Sequence, residues 1–296
     1  MSLPRKTRIA ARLGRLYPLM SGCGTIANSS FLRRFDPDSP MDVTVEVAGG
    51  KARIPTHDYV GRAMLYMGEL DRKIAQIIDR VVEPGDVALD IGANLGLVSL
   101  RLAHRVGPRG AVHAFEPNPA LAPYLAQTCA MNPTLQLHHH KMALGAEASE
   151  MSLHVPPSNA GAASLRPAAE GLGGQVVQVP VVTLAEFVVE AGLTRIDFAK
   201  IDVEGFEAEV MRGAASLPTQ NLPNVIVFEE NTPRVAGIAP PALEIAQELG
   251  YELFAIARSA FRLRLRARAA PDFLQAHDYL ALSPHMDPAR RARLQV

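Results

Sequence analysis

A glycine-rich turn followed by an acid is the part of the sequence best suited to binding a nucleoside. Residues 87–96, VALDIGANLG, predict a buried strand ending at Asp90, a turn through Gly92 and Gly96, and then a helix. The amides at such a helix start face the crevice where α/β sheets bind ligands, and glycine permits close approach. The second strand ends at Glu116, which can accept hydrogen bonds from both ribose hydroxyls.

The charges at this turn distinguish two nucleoside cofactors. A dinucleotide site needs three glycines so that the helix N-terminus can meet a pyrophosphate. Here Asn94 replaces the middle glycine, and Asp90 at the mouth would repel a pyrophosphate. S-adenosylmethionine (SAM) has no phosphate and carries an ammonium and a sulfonium, which a carboxylate attracts. The turn therefore favours SAM, and an NAD-dependent oxidoreductase is the alternative.

A second group of charged residues lies towards the C-terminal end of the fourth predicted strand. At period two, Lys200, Asp202 and Glu204 share one face. Charges in a central parallel strand are costly unless they are paired or functional. We expect Lys200 to pair with a carboxylate such as Asp202 or Glu229. Methyl transfer to a hydroxyl depends on positioning and benefits from a base, so the candidate catalytic carboxylates are Asp202, Glu204 and Glu229, with Glu230 also in reach of the crevice.

Alternating strands and helices predict the sheet that positions these groups. The predicted strands cover residues 87–91, 111–115, 135–144, 196–203, 225–228, 251–257 and 279–282. Such βα units form a doubly wound, Rossmann-like α/β sheet, mostly parallel and with an antiparallel C-terminal strand. One helix is predicted over 61–82, before the first strand of the sheet.

The first 58 residues are predicted as a basic extension with a small β-hairpin, and residues 59–296 as the cofactor-binding domain. Residues 1–35 hold seven Arg or Lys and no acid. They form either a solvated tail or an amphipathic helix with Ile9, Leu13 and Leu16 on one face, which could contact an anionic membrane or a partner subunit. The sequence leaves these alternatives open, as it does homo-oligomerisation.

The composition narrows the classes of function. Thirty acids balance thirty bases, which argues against a nucleic-acid binder. The two cysteines make neither a disulfide framework nor a zinc pattern and fit a reducing compartment. No apolar run is long enough to span a bilayer, and the N-terminus lacks a secretory core. We therefore predict a cytoplasmic protein with no metal site.

The sequence also leads to predictions for three further segments. Residues 156–174 are rich in Pro, Gly, Ala and Ser and are predicted to be a lid or binding loop. Four arginines at alternate positions, residues 262–268, would lie on one face of a strand. These arginines would either recognise an anion or pair with Glu or Asp side chains of a neighbouring element of the chain. The histidines at 138–140 fall on the predicted edge strand and are taken as structural.

Motifs spread over residues 60–283 together resemble those of the FkbM-type methyltransferases. They are VALDIGANLG, HAFEPNP (113–119), MALG (142–145), SNAGAASL (158–165), VTLAEF (182–187) and KIDVEGFE (200–207). The resemblance implies a class I methyltransferase fold with SAM as methyl donor, and usually O-methylation of a sugar or polyketide hydroxyl. A small-molecule or glycan hydroxyl is then the expected acceptor. A non-catalytic assembly partner built on the same fold is the other alternative.

The resemblance also implies roles by position. The residues expected to hold SAM are Asp90, Gly92, Asn94, Leu95, Gly96, Glu116, Met142, Ala143 and Asp202, with Met142 and Ala143 beside the adenine. Glu69, in MGELDR, matches an acid that the family often carries just before this domain. Phe206 stands where family members often have His, so a proton-transfer role for that His is absent here.

Overall fold

An eight-stranded sheet forms the centre of the computed structural model, which describes residues 3–157, 159–166, 173–232 and 239–296. Its strand order is β12-β11-β13-β10-β9-β3-β4-β5. The bounds are β3 Val87–Ile91, β4 Ala111–Phe115, β5 Leu137–His140, β9 Phe198–Ile201, β10 Val225–Glu229, β11 Glu252–Ala257, β12 Arg264–Ala267 and β13 Asp278–Leu282. The five strands from β10 to β5 are parallel, whereas β13 runs antiparallel to both β10 and β11. The predicted mostly parallel sheet with an antiparallel C-terminal strand is confirmed.

Side chains alternate between two helix layers because successive residues of a strand point to opposite faces. On β10, Val225 and Val227 pack into one apolar cluster, and Ile226 and Phe228 into the other. The helices are α1 Arg5–Gly14, α2 Cys23–Ala27, α3 Ser30–Arg33, α4 Tyr59–Tyr66, α5 Arg72–Val81, α6 Leu97–Val106, α7 Ala122–Met131, α8 Leu184–Glu190, α9 Glu207–Arg212, α10 Pro241–Glu248 and α11 Pro288–Ala292. Both faces of the sheet are thereby covered, as a buried parallel sheet requires.

The helix predicted over 61–82 is two helices, α4 and α5. Gly68 has a φ of 69°, which ends α4, and the Asp71 side chain caps α5 by accepting from the amides of Lys73 and Ile74. Apolar periodicity alone does not reveal such a break. The break places Glu69 between the two helices, at the ligand crevice.

The third strand is also shorter than predicted. Strand β5 ends at His140, and the chain continues into β6, Ala143–Gly145, which belongs to a second sheet of order β6-β8-β7. The other strands of this sheet are β7, Ser149–Val155, and β8, Gln175–Thr183. The predicted single strand over 135–144 is therefore wrong, since two sheets share that segment.

The N-terminal region packs onto the helices of the main sheet. Strands β1, Asp42–Val47, and β2, Gly50–Pro55, form the expected hairpin, turned by Ala48 and Gly49, both at positive φ. Asn132, after α7, fixes β2 by accepting from the Lys51 amide (2.9 Å) and donating to its carbonyl (2.6 Å). No helix among the described residues is long and apolar enough to cross a membrane.

Part of the predicted lid, residue 158 and residues 167–172, lies outside the described residues. Residues 160 and 161 of the described remainder lie beside the glycine turn, because a Cβ on Gly161 would lie 2.7 Å from the Asn94 side-chain nitrogen and Asn118 donates to the Ala160 carbonyl (2.9 Å). The arginine row lies on and beside the edge strand β12, where Arg266 approaches Asp272 (3.9 Å) and Arg268 donates to Gln247. Recognition of an anion by this row stays a prediction.

Candidate active site

One cavity opens at the carboxyl ends of β3, β4, β9 and β10. Eight of the predicted site residues line it: Gly92, Asn94, Glu116, Met142, Ala143, Asp202, Glu204 and Glu229. Asp90, which ends the strand before the turn, and Leu95 and Gly96 in the turn are not among the residues that line the cavity. The roles predicted for all of these residues in cofactor binding and catalysis remain predictions.

The turn requires glycine at positions 92 and 96 for two different physical reasons. Gly92 has a φ of 82°, and a Cβ on it would lie 1.9 Å from the Asp202 carbonyl oxygen. The β3 turn and the end of β9 are therefore in direct backbone contact. Gly96 has a φ of 86°, and a Cβ there would meet the side chain of Leu125 on α7 at 2.7 Å. Gly96 thus allows α7 to pack against the start of α6.

Glu116 is buried and fixes the turn from the end of β4. Its two carboxylate oxygens accept the amides of Asn94 (2.8 Å) and Asn118 (2.9 Å). Burial raises the pKa of Glu116 to about 7, although both amides act to lower it. Each carboxylate oxygen keeps a lone pair, so Glu116 can accept the two hydroxyls of a ribose in addition.

We predict that Glu116→Ala weakens SAM binding by about 1.5–3 kcal/mol, the range for hydrogen bonds to a charged group. Calorimetric titration measures the change, with circular dichroism to show that the variant is folded. The matched control is Glu190→Ala, at an exposed position on α8, which should bind SAM normally. Unchanged affinity in a folded Glu116→Ala would remove Glu116 from the ribose site.

Lys200 is a buried cation that joins the ends of β3 and β9. Its ammonium lies 3.1 Å from Asp202 and 3.9 Å from Asp90, and donates to the Gly92 carbonyl (3.1 Å). The predicted pairing with Asp202 is confirmed. Although burial lowers the pKa of Lys200, the carboxylates of Asp202 and Asp90 raise it further, so the net shift is upward. Two acids around one cation leave this cluster with a negative excess that suits a cationic ligand.

Glu204 was predicted to share one face with Lys200 and Asp202 at strand period, but it lies beyond the end of β9. Strand β9 ends at Ile201, and Glu204 has a φ of 52°, a backbone conformation that side chains larger than glycine adopt at a cost. Burial and the nearby Asp202 raise the pKa of Glu204 to about 7. A half-buried carboxylate with a pKa near neutrality is suited to act as a general base.

Glu207 holds the loop that carries these carboxylates, a function that the sequence did not reveal. Its side chain is buried and accepts the amides of Val203 (3.0 Å) and Gly205 (3.2 Å). Burial raises the pKa of Glu207 to about 7. An acid shortly after a glycine could have indicated this local bond, because the carboxylate of such an acid can accept backbone amides of the loop that precedes the helix.

Glu229, at the end of β10, faces Asp202. Burial, followed by repulsion from Asp202 and Asp278, raises the pKa of Glu229 to about 8. Burial and the neighbouring carboxylates therefore favour the protonated form of Glu229 in the ligand-free protein. A carboxylate whose pKa is raised in this way, lining a cleft, is typical of catalytic sites.

Glu229→Gln should stabilise the ligand-free protein above pH 8 and have no such effect near pH 5. Between the ordinary pKa of a glutamate and 8, the folded state binds more protons than the unfolded state, so stability falls as pH rises. Gln removes this loss, and solvent screening limits the gain to about 1–2 kcal/mol. Thermal melts at both pH values measure it, with the exposed Glu244→Gln as control. An equal change at both pH values would contradict the assignment.

Glu69 and Arg101 form the far wall of the cavity. The Arg101 guanidinium bonds to Glu69 at 2.7 Å and to Asp79 at 2.9 Å. Glu69 was noted from the resemblance, whereas Arg101 was not expected. No local pattern could have indicated Arg101, because its partners come from a helix and a helix break that meet it only in the fold.

A second cleft adjoins the first and shares Tyr59, Leu70, Asp71, Ile74, Lys200, Asp202 and Glu229 with it. Its outer walls include Arg258, His277 and Asp278, and residues 21–25 of the N-terminal extension. The extension is fixed there, because the Met20 amide donates to the Ala260 carbonyl (2.8 Å) and Arg72 donates to the Leu19 carbonyl (3.1 Å). A ligand in this cleft would contact Asp71, Asp202 and Glu229, the three acids that also line the first cavity.

The histidines of β5 pack away from these carboxylates. His140 stacks on Phe115, and its Nε2 lies 3.1 Å from Nδ1 of His113. Burial lowers the pKa of both His113 and His140 to about 4. Among the described residues, no group of three or more His, Cys, Asp or Glu side chains could hold a metal ion.

The first cavity suits SAM by its donor set. Its lining contains six acids, Glu69, Asp71, Glu116, Asp202, Glu204 and Glu229, against Lys200 and Arg101. A side-chain oxygen of Asn94, which lines the cavity, and one of Asp90 beneath it are buried without a hydrogen-bond partner among the described residues. The excess of acids attracts an ammonium and a sulfonium and disfavours a pyrophosphate.

The sheet order and this site define a class I SAM-dependent methyltransferase. A dinucleotide-binding sheet continues 3-2-1-4-5-6, whereas here the antiparallel β13 lies between β10 and β11. The chain belongs to the FkbM methyltransferase family, because the profile of the methyltransferase FkbM domain matches residues 90–259. The family and the cofactor implied by the sequence motifs are thus confirmed, and the oxidoreductase and the non-catalytic partner are set aside.

Two relatives and one solved structure illustrate the similarity. Methyltransferase sdnD of Sordaria araneosa is 29% identical over 212 residues, 62% of this chain and 77% of its own length. The 31-O-demethyl-FK506 methyltransferase FkbM of Streptomyces tacrolimicus is 31% identical over 162 residues, 45% of this chain and 60% of its own. Fibrillarin from Aeropyrum pernix, solved with SAM, is 15% identical with a TM-score of 0.40, covering 81% of this chain and 82% of its own.

Proposed function

We propose that this methyltransferase transfers a methyl group to a hydroxyl of a sugar or a secondary metabolite. The observation that carries the proposal is the group of three carboxylates that line the first cavity, Asp202, Glu204 and Glu229, of which Asp202 and Glu229 also line the second cleft. An alcohol needs a base because its proton must leave as the new bond forms. The name of the Streptomyces relative, which specifies an O-demethyl substrate, supports an oxygen acceptor.

The cofactor would occupy the cavity beside the glycine turn. Glu116 would hold the ribose, Met142 and Ala143 would flank the adenine, and Asp202 would face the cationic end. SAM supplies, when bound, a methyl group that its sulfonium has already activated. The task left to the protein is therefore mainly positioning.

The acceptor would enter through the second cleft, and its hydroxyl would pass Asp202 and Glu229, which line both clefts, to reach Glu204 in the first cavity. Glu204 would accept the hydroxyl proton on a carboxylate oxygen, since its pKa lies near neutrality. Asp202, held by Lys200 at 3.1 Å, would orient the hydroxyl. The mixed acidic and basic lining of the second cleft suits a polyhydroxylated molecule.

Labelling identifies the acceptor. The enzyme is incubated with methyl-labelled SAM and a small-molecule extract of the source cells, and the labelled product is located by mass spectrometry and NMR. We expect the label on an oxygen that was a hydroxyl. Label on nitrogen or carbon would contradict O-methylation, and the Asp202→Asn variant controls for transfer outside this site.

A further inference from the structure

The N-terminal extension exposes apolar side chains that the described residues do not cover. Ile9 is 48% exposed, Leu13 64%, Leu16 75% and Phe31 63%. All four line one apolar groove between α1 and α3. Exposed single apolar residues are normal, whereas a contiguous group of this kind marks an interaction site. We call Ile9, Leu13, Leu16 and Phe31 the apolar patch.

Helix α1 is packed onto the protein by its other side. Thr7 and Ala10 are buried, and the Thr7 hydroxyl donates to the Phe35 carbonyl (2.5 Å). Gly14 contacts α4, since a Cβ there would lie 2.5 Å from the Tyr66 carbonyl oxygen. The orientation of α1 is therefore fixed, and Ile9 and Leu13 face outward as part of the folded structure.

Basic side chains surround the apolar patch. Residues 1–35 contain seven bases and no acid, while the rest of the chain has an excess of seven acids. Lys6 pairs with Asp38, and Arg15 and Arg33 donate to backbone carbonyls. The other four, Arg5, Arg8, Arg12 and Arg34, are exposed, and their side chains make no hydrogen bond or ion pair with a described residue.

We propose that this basic face with its apolar patch binds the surface of an anionic phospholipid bilayer. The apolar side chains would enter the interface while the arginines contact the lipid phosphates, the arrangement of an interfacial amphipathic helix. The opposite sign of charge on the rest of the chain would orient the protein, because an anionic surface attracts one end and repels the other.

A second copy of the chain is a poorer occupant of the same surface. In a two-fold dimer the same patch meets itself. The arginines of one copy would then face those of the other, with no acid from residues 1–35 to pair with them. Like charges placed together across an interface cost several kcal/mol. The charge of this face therefore favours a lipid surface over self-association.

Vesicle co-sedimentation of the full chain tests the proposal. The vesicles are phosphatidylcholine alone, or phosphatidylcholine with about one third phosphatidylglycerol, a fraction that gives a strongly anionic surface. We expect binding to the anionic vesicles only. Binding should be weaker at high salt, because salt screens the attraction between the arginines and the lipid phosphates. No binding of the wild type to anionic vesicles at low salt would overturn the proposal and leave a protein partner as occupant.

Two sets of variants locate the contact. Leu13→Ser with Leu16→Ser, and Arg5→Ala with Arg8→Ala and Arg12→Ala, should each weaken partition at least about tenfold. The charge-matched control removes Arg262, Arg264 and Arg266 instead. Stronger loss in that control would place the contact on the arginine row and overturn the proposal.

Analytical ultracentrifugation tests whether the apolar patch joins two copies of the chain. Wild type and the Leu13→Ser, Leu16→Ser variant should sediment alike without vesicles. A dimer that dissociates in the variant would show that the patch joins two copies and would contradict the proposal. SAM affinity should be equal in all variants, because none of the substituted residues lines the cofactor cavity.

Discussion

Glu204→Gln should lower turnover by about 10² to 10⁴-fold while SAM affinity stays within a few-fold of wild type. Gln has the shape of Glu but cannot take up a proton, and general base catalysis contributes this factor. Because the pKa of Glu204 is raised to about 7, about half of the carboxylate is ionised at neutral pH. Turnover is measured with the acceptor that labelling identifies.

The dependence of turnover on pH distinguishes general base catalysis by Glu204 from a structural role of this residue. With saturating SAM, wild-type turnover should rise with pH through an apparent pKa near 7, because only the ionised form of Glu204 accepts a proton. The rise should be absent in Glu204→Gln and present in Glu150→Gln, a control at an exposed position on β7. Full turnover in Glu204→Gln would assign the base to Asp202 or Glu229.

Asp202→Asn should lower turnover by roughly 10²-fold or more, the size of effect that follows loss of an active-site carboxylate. The substitution keeps the shape but removes the negative charge that lies 3.1 Å from Lys200 and in reach of both clefts. The expected loss appears in the rate at saturating acceptor, because in the proposed mechanism Asp202 orients the reacting hydroxyl.

A double variant distinguishes a catalytic charge from a structural ion pair. If Asp202 served only to neutralise Lys200, Asp202→Asn with Lys200→Gln would recover activity, since no buried charge would remain unpaired. We expect the double variant to stay as slow as Asp202→Asn. Recovery to wild-type turnover would contradict the assignment and make Asp202 a structural partner.

Local patterns in the sequence were sufficient to predict the parts of the site that lie on strands. Lys200 on β9 and Asp202 just after its end stand at alternate positions, and this period predicted that the two side chains would meet, as they do. The same rule failed at Glu204, because β9 has ended and a left-handed residue redirects the chain. Side-chain alternation holds only while the backbone is extended.

Contacts between distant segments could not be predicted in this way. The second cleft depends on a bond between the Met20 amide and the Ala260 carbonyl, which come from opposite ends of the chain. Glu69 reaches the cavity because Gly68 and Asp71 break a segment whose apolar spacing reads as one helix. A single sequence carries the local preferences but does not contain the pairing of such segments.

A crystal structure with S-adenosylhomocysteine, the demethylated product of the cofactor, tests the central claim most directly. The account predicts that both ribose hydroxyls lie about 3 Å from the carboxylate of Glu116, the distance of a hydrogen bond to a charged group. We also expect the sulfur to face Asp202 and Glu204 in the first cavity. A nucleoside bound elsewhere, or a sulfur turned away from these carboxylates, would contradict the account.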